Sequence, residues 1–275
     1  MRGSRLRLVS HRLPRLFQVK ANPLPIDPTQ EAPLYRKVRH ELTESIARGV
    51  WNPGEAIPSE SKLAAQFGVS IGTLRKAVDA LVAEQLLVRH QGRGTFVTTH
   101  NARRLLFHFF HIVGEDGAKR FPEVTTLEFR NGRADSECAR QLGIPPADKV
   151  IHIRNLLELD GKPVVVDDIT LPAALFPGLT EKIFAGRDNT IYHLYQSRYG
   201  INVLRTREKL RAIAAPRDVA PLLGVATQAP ILEIRRVALT YRDKPVEWRV
   251  SRVNSAAHEY ENTFGKSEAL KAWEE

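Results

Sequence analysis

A short polar and basic stretch in the first third of the chain has the chemistry to bind DNA. Ser70 is placed to cap a helix, and Gly72, Thr73, Arg75 and Lys76 fall within the first two turns of that helix. Arginine can pair with the edge of a guanine, or with a phosphate, through two hydrogen bonds. A threonine hydroxyl and the free backbone amides at a helix start suit phosphate oxygens. This pattern predicts that the start of the helix faces base edges and the DNA backbone.

A second basic residue lies between two glycines further along the chain. Gly92 and Gly94 allow the backbone to turn tightly and to approach DNA closely, with Arg93 between them. The surrounding residues form two β-like segments, 86–90 and 94–98, which predict a two-stranded ribbon. The tip of this ribbon is therefore a second candidate contact with DNA.

Three helical patterns precede the ribbon and would position both contacts. The apolar residues of the first are spaced four apart: Leu34, Val38, Leu42 and Ile46. The second helix begins after Ser59 and the third after Ser70, with only a few residues around Gly68 between them. That short separation is what a helix-turn-helix requires. Three helices and a ribbon predict a winged helix-turn-helix, and the alternative is an ordinary three-helix unit with solvated basic residues.

The composition of the whole chain limits the class of protein. Its 275 residues are enough for two compact domains, and 43% hydrophobic with 26% charged residues is typical of a soluble globular protein. No apolar run approaches the roughly 20 residues of a membrane helix, so we expect no membrane partner. The single cysteine, Cys138, cannot form an internal disulfide, which fits a cytoplasmic protein.

Half of the net charge of +10 lies in the first 29 residues, so charge alone favours a polyanionic partner only weakly. These residues carry six Lys/Arg against one acid, contain closely spaced prolines and show no helical or strand period. We predict a disordered basic leader over residues 1–30. Such a leader is either a disordered arm that adds phosphate contacts or a sign that translation starts further downstream, and the alternative is a targeting peptide.

Between residues 31 and 98, short motifs occur with the spacing of a known family. They are Leu34-Tyr35, Pro53-Gly54, Pro58-Ser59-Glu60, Leu63-Ala64, Gly68-Val69-Ser70, Thr73-Leu74-Arg75, Leu81 and Gln91-Gly92-Arg93-Gly94-Thr95-Phe96. Together they resemble the winged helix-turn-helix of GntR-family regulators. The resemblance implies a bacterial, cytoplasmic homodimer that binds a short inverted repeat in double-stranded operator DNA.

The resemblance and the two contact patterns together give the candidate DNA-binding residues. They are Ser59, Glu60, Ser70, Gly72, Thr73, Arg75, Lys76, Gln91, Gly92, Arg93, Gly94 and Thr95. One position departs from the family pattern. Many members have an arginine directly after the serine that starts the recognition helix, whereas this chain has Ile71. The family pattern therefore does not indicate which base is preferred at this position.

Beyond a linker at residues 99–104, strand-like and helical patterns are mixed. The strand-like stretches are 105–113, 125–129, 150–159, 164–170, 203–214 and 230–241. The helical patterns are 135–142, 179–184, 190–199 and 218–223. The turns Asp160-Gly161-Lys162-Pro163 and Arg242-Asp243-Lys244-Pro245 each divide two strand-like runs. We therefore predict an α+β domain built on a largely antiparallel sheet.

Several stretches of this second half also match a family pattern. They are Ala139-Arg140-Gln141-Leu142-Gly143-Ile144, Val150-Ile151-His152-Ile153-Arg154, Asp160-Gly161-Lys162-Pro163, Leu171-Pro172, Ile191-Tyr192-His193-Leu194 and Pro245-Val246-Glu247-Trp248. They resemble the UTRA domain of the HutC-type branch of GntR regulators, over residues 105–266, with a tail at 267–275. The resemblance implies a chorismate lyase-like mixed α/β fold that binds a small metabolite without converting it.

The same resemblance implies which residues would hold the effector. Arg154, Asp167 and Glu247 match its pocket positions, and Arg249 alternates onto the face of Glu247 if that strand is regular. A buried arginine grips a carboxylate or phosphate, and the acids accept from hydroxyls or amines. The alternative is that all four are paired structural charges. Members that sense sugar phosphates often have two arginines where Arg154-Asn155-Leu156 has one, so we expect a carboxylate-bearing effector.

No sequence pattern indicates an enzyme. The chain has no Gly-x-Ser-x-Gly, Walker loop or His-Glu-x-x-His, and His108 and His111 fall on opposite faces of a strand-like run. We expect no catalytic residues, no cofactor and no metal. The favoured hypothesis is a repressor whose effector binds one dimer arrangement more tightly and so changes operator affinity. The alternatives are a lyase-like enzyme fused to a DNA-binding module and a ligand-independent architectural DNA binder.

Overall fold

The structure, a computed structural model, describes residues 33–99, 109–187 and 190–262. Four predicted segments lie outside them: the leader 1–30, the linker beyond residue 99, the start of the first strand at 105–108, and the tail 267–275. Within the part of the chain that the structure describes, no helix is long and apolar enough to cross a lipid bilayer.

Three helices and a two-stranded ribbon form the N-terminal unit, as predicted. Their bounds are α1 Leu34–Ala47, α2 Glu60–Phe67, α3 Ile71–Ala83, β1 Leu87–His90 and β2 Gly94–Val97. The two strands are antiparallel, with His90 opposite Gly94 across the turn. The unit is a winged helix-turn-helix.

Serine caps determine where α2 and α3 begin. The Ser59 hydroxyl accepts a hydrogen bond from the amide of Lys62 at 3.4 Å, and the Ser70 hydroxyl accepts one from Thr73 at 3.1 Å. Gly68 ends α2 with a φ of 65°, a left-handed conformation that glycine adopts without steric cost. This short turn brings α3 directly after α2.

One face of α3 is buried in the core of this unit. Leu74 and Leu81 of α3 are fully buried with Val38 and Leu42 of α1 and Phe67 of α2. Because the core-facing positions recur every three or four residues, the positions between them lie on the outer face of the helix. That outer face carries the candidate DNA-binding residues of α3.

The C-terminal unit is built on one antiparallel sheet of six strands. The remaining strands are β3 Ile112–Gly114, β4 Glu123–Arg133, β5 Lys149–Leu159, β6 Lys162–Pro172, β7 Arg205–Ala214, β8 Pro230–Leu239, β9 Pro245–Val253 and β10 His258–Tyr260. The order in the sheet is β4-β5-β6-β9-β8-β7, while β3 and β10 form a separate antiparallel pair. The helices are α4 Ser136–Leu142, α5 Glu181–Ala185 and α6 Ile191–Tyr199. The predicted α+β fold with a largely antiparallel sheet is confirmed.

The two faces of this sheet are covered by different segments. Helix α6 contributes Tyr192 and Tyr195 to the core over one face, together with Phe184 of α5. On the other face, α4 packs through Cys138, and the segment after β7 packs through Val219. The sheet therefore lies between two layers.

The predicted helix at 218–223 is wrong. The chain there forms consecutive hydrogen-bonded turns instead, with the amides of Val219 and Ala220 both bonded to the Pro216 carbonyl. Pro221 lies in the middle of the segment and has no N–H to donate to a helical ladder, and its ring disfavours the helical conformation of the residue before it. The apolar spacing persists because Ala220 and Leu223 are still buried against the sheet.

Several contacts between described residues join the two units. Arg242, in the turn between β8 and β9, donates from Nε to a carboxylate oxygen of Glu44 in α1 at 2.8 Å. Gln196 of α6 donates to the carbonyl of Thr98 at 3.2 Å. Tyr241 packs against the apolar core of the N-terminal unit. The β8–β9 hairpin therefore touches the unit that contains α3.

Candidate nucleic-acid interface and ligand cavity

The exposed face of α3 brings together the residues that the sequence singled out. Gly72, Arg75 and Lys76 are exposed, and Ile71 at the start of the helix is 49% exposed. The hydroxyls of Ser70 and Thr73 lie 2.9 Å apart and cap the first turn. The N-terminal part of a recognition helix is the part that reaches base edges in the major groove.

Glu60 holds two arginines beside this face. One carboxylate oxygen accepts from Nε of Arg75 at 2.9 Å, and the other accepts from Arg89 of β1 at 2.9 Å. Arg89 also pairs with Asp79 of α3. A carboxylate would repel DNA phosphates, so Glu60 is suited to orienting the arginines rather than to contacting the backbone. Sequence analysis missed Arg89, which no cap or turn signal marks.

Lys76 is positioned by the first helix of the unit. Its ammonium lies 4.4 Å from the centre of the Tyr35 ring, a cation–π contact across the start of α1. Tyr35 is thereby brought to the edge of the same surface, although the sequence pattern gave it no role beyond the family match.

The ribbon turn presents its candidate residues to solvent. Gln91, Gly92, Arg93 and Gly94 are all exposed, and Gly92 and Gly94 have φ values of 69° and 112°. Thr95 differs from them because its carbonyl accepts from the amide of Ile57 at 2.9 Å, which ties the base of the wing to the preceding loop. The structure thus places Thr95 at an anchor and the other four at the tip.

A cavity of about 380 Å³ lies over one face of the six-stranded sheet. Its floor includes Asn155 of β5, Asp167 of β6, Arg236 of β8, and Arg249 and Ser251 of β9. Its walls include Phe109, Phe121, Arg187, Thr190, Tyr192 and Tyr260. The volume falls within the range of about 300–1,000 Å³ that is usual for small-molecule pockets.

Three of the four predicted effector residues form one buried ion-pair network. Arg249 donates to Glu247 from Nε at 2.9 Å and from Nη2 at 3.0 Å, and to Asp167 from Nη1 at 3.0 Å. Ser251 donates to the other oxygen of Asp167. Exposure is 8% for Arg249, 2% for Asp167 and 0% for Glu247. One guanidinium thus faces two carboxylates, so this network carries a net negative charge below and beside the cavity.

Two tyrosines complete this network from α6. The hydroxyls of Tyr195 and Tyr192 donate to Glu247 at 2.8 Å and 3.2 Å. Burial, and then the charge of Glu247, raise the pKa of both phenols, so both stay protonated as donors. Burial opposes the charge on Arg249, but the carboxylates of Glu247 and Asp167 outweigh it and raise its pKa. Both carboxylate oxygens of Glu247 therefore accept hydrogen bonds from side chains of the protein.

Arg154 does not join this group, and the expectation that it lines the pocket is wrong. In the register of β5 and β6, Asn155 lies opposite Asp167, whereas Arg154 lies opposite Asp168. Successive side chains point to opposite faces of a sheet, so Arg154 lies on the face away from the cavity. There its Nε donates to Asp168 at 2.6 Å and its Nη1 to Asp218 at 3.1 Å.

Two polar residues that line the cavity, Asn155 and Arg187, lack a hydrogen-bond partner and an ion-pair partner, respectively, among the described residues. Neither was among the residues predicted from the sequence. Asn155 is 0% exposed, and neither its amide nitrogen nor its oxygen has a hydrogen-bond partner. Arg187 donates to the carbonyl of Phe184 and lies 4.4 Å from the centre of its ring, with no carboxylate partner among the described residues. Burial lowers the pKa of Arg187. Neither residue type nor spacing marks these two positions in the sequence.

Two family models match the chain and together span most of it. Residues 34–97 match the model of bacterial regulatory proteins of the gntR family, and residues 118–259 match that of the UTRA domain. The chain belongs to the GntR family. The UTRA match covers the six-stranded sheet and most of the residues that line the cavity, and the HutC-type resemblance is confirmed.

Curated relatives of this GntR-family chain are repressors. It is 33% identical over 215 residues to a "probable fructoselysine utilization operon transcriptional repressor" of Escherichia coli (strain K12), covering 78% of this chain and 87% of the relative. It is 35% identical over 209 residues to the histidine utilization repressor of Klebsiella aerogenes, covering 74% and 84%. The chain is therefore a transcriptional repressor of the GntR type and not an enzyme.

A solved structure supports the fold of the UTRA half. The ligand-binding domain of a GntR-family regulator from Bordetella bronchiseptica matches with a TM-score of 0.55 and 34% identity. The match covers 58% of this chain and 99% of that one. GntR repressors with a UTRA domain bind DNA and small-molecule effectors.

Replacing Arg75 with alanine in this GntR-family repressor is expected to weaken operator binding by about 1–3 kcal/mol if the guanidinium pairs with a guanine. Such a pairing requires that the arginine exchange Glu60 for a base, so the loss would report the difference between those two partners. Fluorescence anisotropy on the preferred operator and on single-base variants measures it. An equal loss on every variant would assign Arg75 to the phosphate backbone instead.

Proposed function

We propose that the chain binds an inverted-repeat operator as a homodimer and that a small carboxylate-bearing metabolite in the cavity controls its affinity for that operator. The effector part of the proposal rests on the side chain of Asn155, which is buried and has no hydrogen-bond partner. A buried amide without partners costs about 1–3 kcal/mol per unsatisfied group, so a protein keeps one mainly where something else binds it. A ligand in the cavity would supply those hydrogen bonds.

Arg187 supports an anionic ligand. Of the three arginines that line the cavity, Arg236 pairs with Glu208, and Arg249 pairs with Asp167 and Glu247. Arg187 is the one without a carboxylate among residues 33–99, 109–187 and 190–262. A largely buried cation is stabilised by an anionic partner. One unneutralised arginine suits a singly charged carboxylate better than a doubly charged phosphate.

The apolar walls and the relatives' names agree with this class of ligand. Phe109 and Phe121 would cover a small apolar or ring portion. The names of the relatives refer to the utilization of fructoselysine and of histidine, and both compounds carry a carboxylate. Neither compound is assigned as the effector, but both are suitable probes.

Calorimetric titration with L-histidine, fructoselysine, other small carboxylates and glucose 6-phosphate tests the proposal. We expect saturable binding of a carboxylate that is lost in Arg187→Met and retained in Arg154→Met, the matched change on the opposite face of the sheet. Tight binding of glucose 6-phosphate, with none of the carboxylates, would overturn the assignment of ligand class.

The hairpin between β8 and β9 offers a route from the cavity to the DNA-binding unit. Arg249 and Glu247 lie on β9 only a few residues after the turn that holds Arg242. Arg242 pairs with Glu44 in α1 and so connects that turn to the winged helix-turn-helix. A ligand that favours one position of β9 would thereby favour one position of the two recognition helices in the dimer.

Glu44→Gln is expected to reduce the effect of the ligand on operator affinity while leaving the affinity for the ligand unchanged. The substitution keeps the size of the side chain and removes the charge that pairs with Arg242. Anisotropy with and without a binding carboxylate measures the coupling, and calorimetry measures ligand affinity. If the variant kept the full effect of the ligand on operator affinity, the ion pair of Glu44 with Arg242 would not couple the two units. Another contact, such as the hydrogen bond from Gln196 to Thr98, would then do so.

A further inference from the structure

The start of the recognition helix presents an apolar side chain to solvent. Ile71 is 49% exposed, and it is the one large hydrophobic residue with this exposure in residues 33–99. It lies four positions before Arg75, so the two side chains are neighbours on the outer face of α3. An isolated exposed isoleucine is common on protein surfaces, but this one lies within the surface proposed to face DNA.

The other polar groups of the first turn are already engaged. Ser70 caps the helix and bonds to Thr73, while Arg75 pairs with Glu60. Gly72 adds no side chain, and a Cβ there would meet nothing nearer than the Ser70 hydroxyl at 3.9 Å. The helix surface at position 72, next to Ile71, therefore carries no side chain.

The chemistry of Ile71 restricts what it can recognise. It has no hydrogen-bonding group, so it cannot read a base through donors or acceptors. The apolar feature that the major groove offers is the C5-methyl group of thymine, which only A·T pairs present. Isoleucine is branched at Cβ and has one strongly preferred χ1 in a helix, so little conformational entropy is lost on contact.

We propose that Ile71 reads a thymine in each half-site of the operator by packing on its C5-methyl group. The inference rests on the proposed operator binding and adds the identity of one base pair. Loss of a methyl-sized apolar contact is expected to lower the affinity about fourfold for each half-site.

Deoxyuridine substitution tests this contact because deoxyuridine lacks only the thymine methyl group. The full chain first selects its preferred operator from a random-sequence DNA library. Each thymine of the selected half-sites is then replaced, in both half-sites together, and binding is measured for the native chain, Ile71→Val and Ile71→Ala. We expect one position where the replacement weakens native binding by roughly tenfold or more over the two half-sites.

The variants decide whether Ile71 makes that contact. At that position Ile71→Ala should bind the thymine and deoxyuridine operators equally, while Ile71→Val should keep most of the discrimination. Ile71→Arg should move the preference toward guanine, since arginine pairs with its O6 and N7. Selection of operator by Ile71→Arg reports this directly.

Two results would overturn the proposal. One is a deoxyuridine effect of equal size in the native chain and Ile71→Ala at every position, and the other is no deoxyuridine effect at all. Failure to select any specific operator is a different result, because it overturns the proposed operator binding and this inference with it.

Discussion

Replacing Arg249 with methionine is expected to destabilise the C-terminal unit by about 3–5 kcal/mol, since the substitution leaves Asp167 and Glu247 buried without their cation. Glu247 is 0% exposed and does not line the cavity, so water cannot readily replace the lost guanidinium there, whereas Asp167, 2% exposed, also borders the cavity. A loss of this size is a large fraction of the stability of an ordinary domain. Thermal unfolding followed by circular dichroism measures it, with the N-terminal unit as an internal reference.

Arg154→Met is the matched control for this prediction. Arg154 also pairs with a carboxylate, but Asp168 keeps a second partner in Arg252 and is itself partly exposed. We expect a much smaller change, because partly exposed ion pairs contribute little. Adding Glu247→Gln to Arg249→Met should recover part of the loss, since it removes one of the stranded charges. Equal destabilisation by Arg249→Met and Arg154→Met would contradict the network described here.

Asn155→Leu is expected to stabilise the ligand-free protein and to abolish its response to the effector. The change removes two buried polar groups that lack partners, worth about 1–3 kcal/mol each, and the adjoining cavity leaves room for the larger side chain. For a unit of this size, a total of about 2–6 kcal/mol corresponds to a rise in Tm of roughly 4–24 °C. Scanning fluorimetry measures the rise, and operator binding with a carboxylate ligand measures the response.

Gln196→Leu is the control for this prediction, because it shows whether the loss of any buried amide raises Tm. Gln196 is also buried, but its amide nitrogen donates to Asn202 and to the Thr98 carbonyl. We expect this variant to lower Tm, because it leaves those acceptors unpaired. If Asn155→Leu lowered Tm as well, Asn155 would be a structural residue and the effector proposal would lose its main support.

The DNA-binding unit could be predicted almost completely from sequence because its signals are local. Ser59 and Ser70 cap their helices as predicted, and Gly68 forms the turn between them. The glycines at positions 92 and 94 adopt the positive φ that the ribbon turn needs. Each of these signals acts within a few residues along the chain, so no knowledge of distant contacts is required.

The ligand cavity could be predicted only in part because it depends on which side of a strand faces it. A shift of one position along β5 moves a residue to the other face. Arg154 was predicted from the family match, whereas its neighbour Asn155 is the residue that lines the cavity. Apolar residues are buried on both faces of that strand, as Val150 and Ile153 show, so the pattern of burial does not mark the cavity side. Arg187 comes from the segment after α5, outside the sheet.

The central claim is that one molecule couples operator binding to a small carboxylate. Its most direct test is fluorescence anisotropy of the full chain on the DNA upstream of its own coding sequence, at two salt concentrations, with and without the carboxylate panel. We expect saturable, competitor-resistant binding that weakens with salt and that at least one carboxylate changes, with Arg187→Met insensitive to that compound. Specific binding that no carboxylate alters, or a ligand effect that Arg187→Met retains in full, would contradict it.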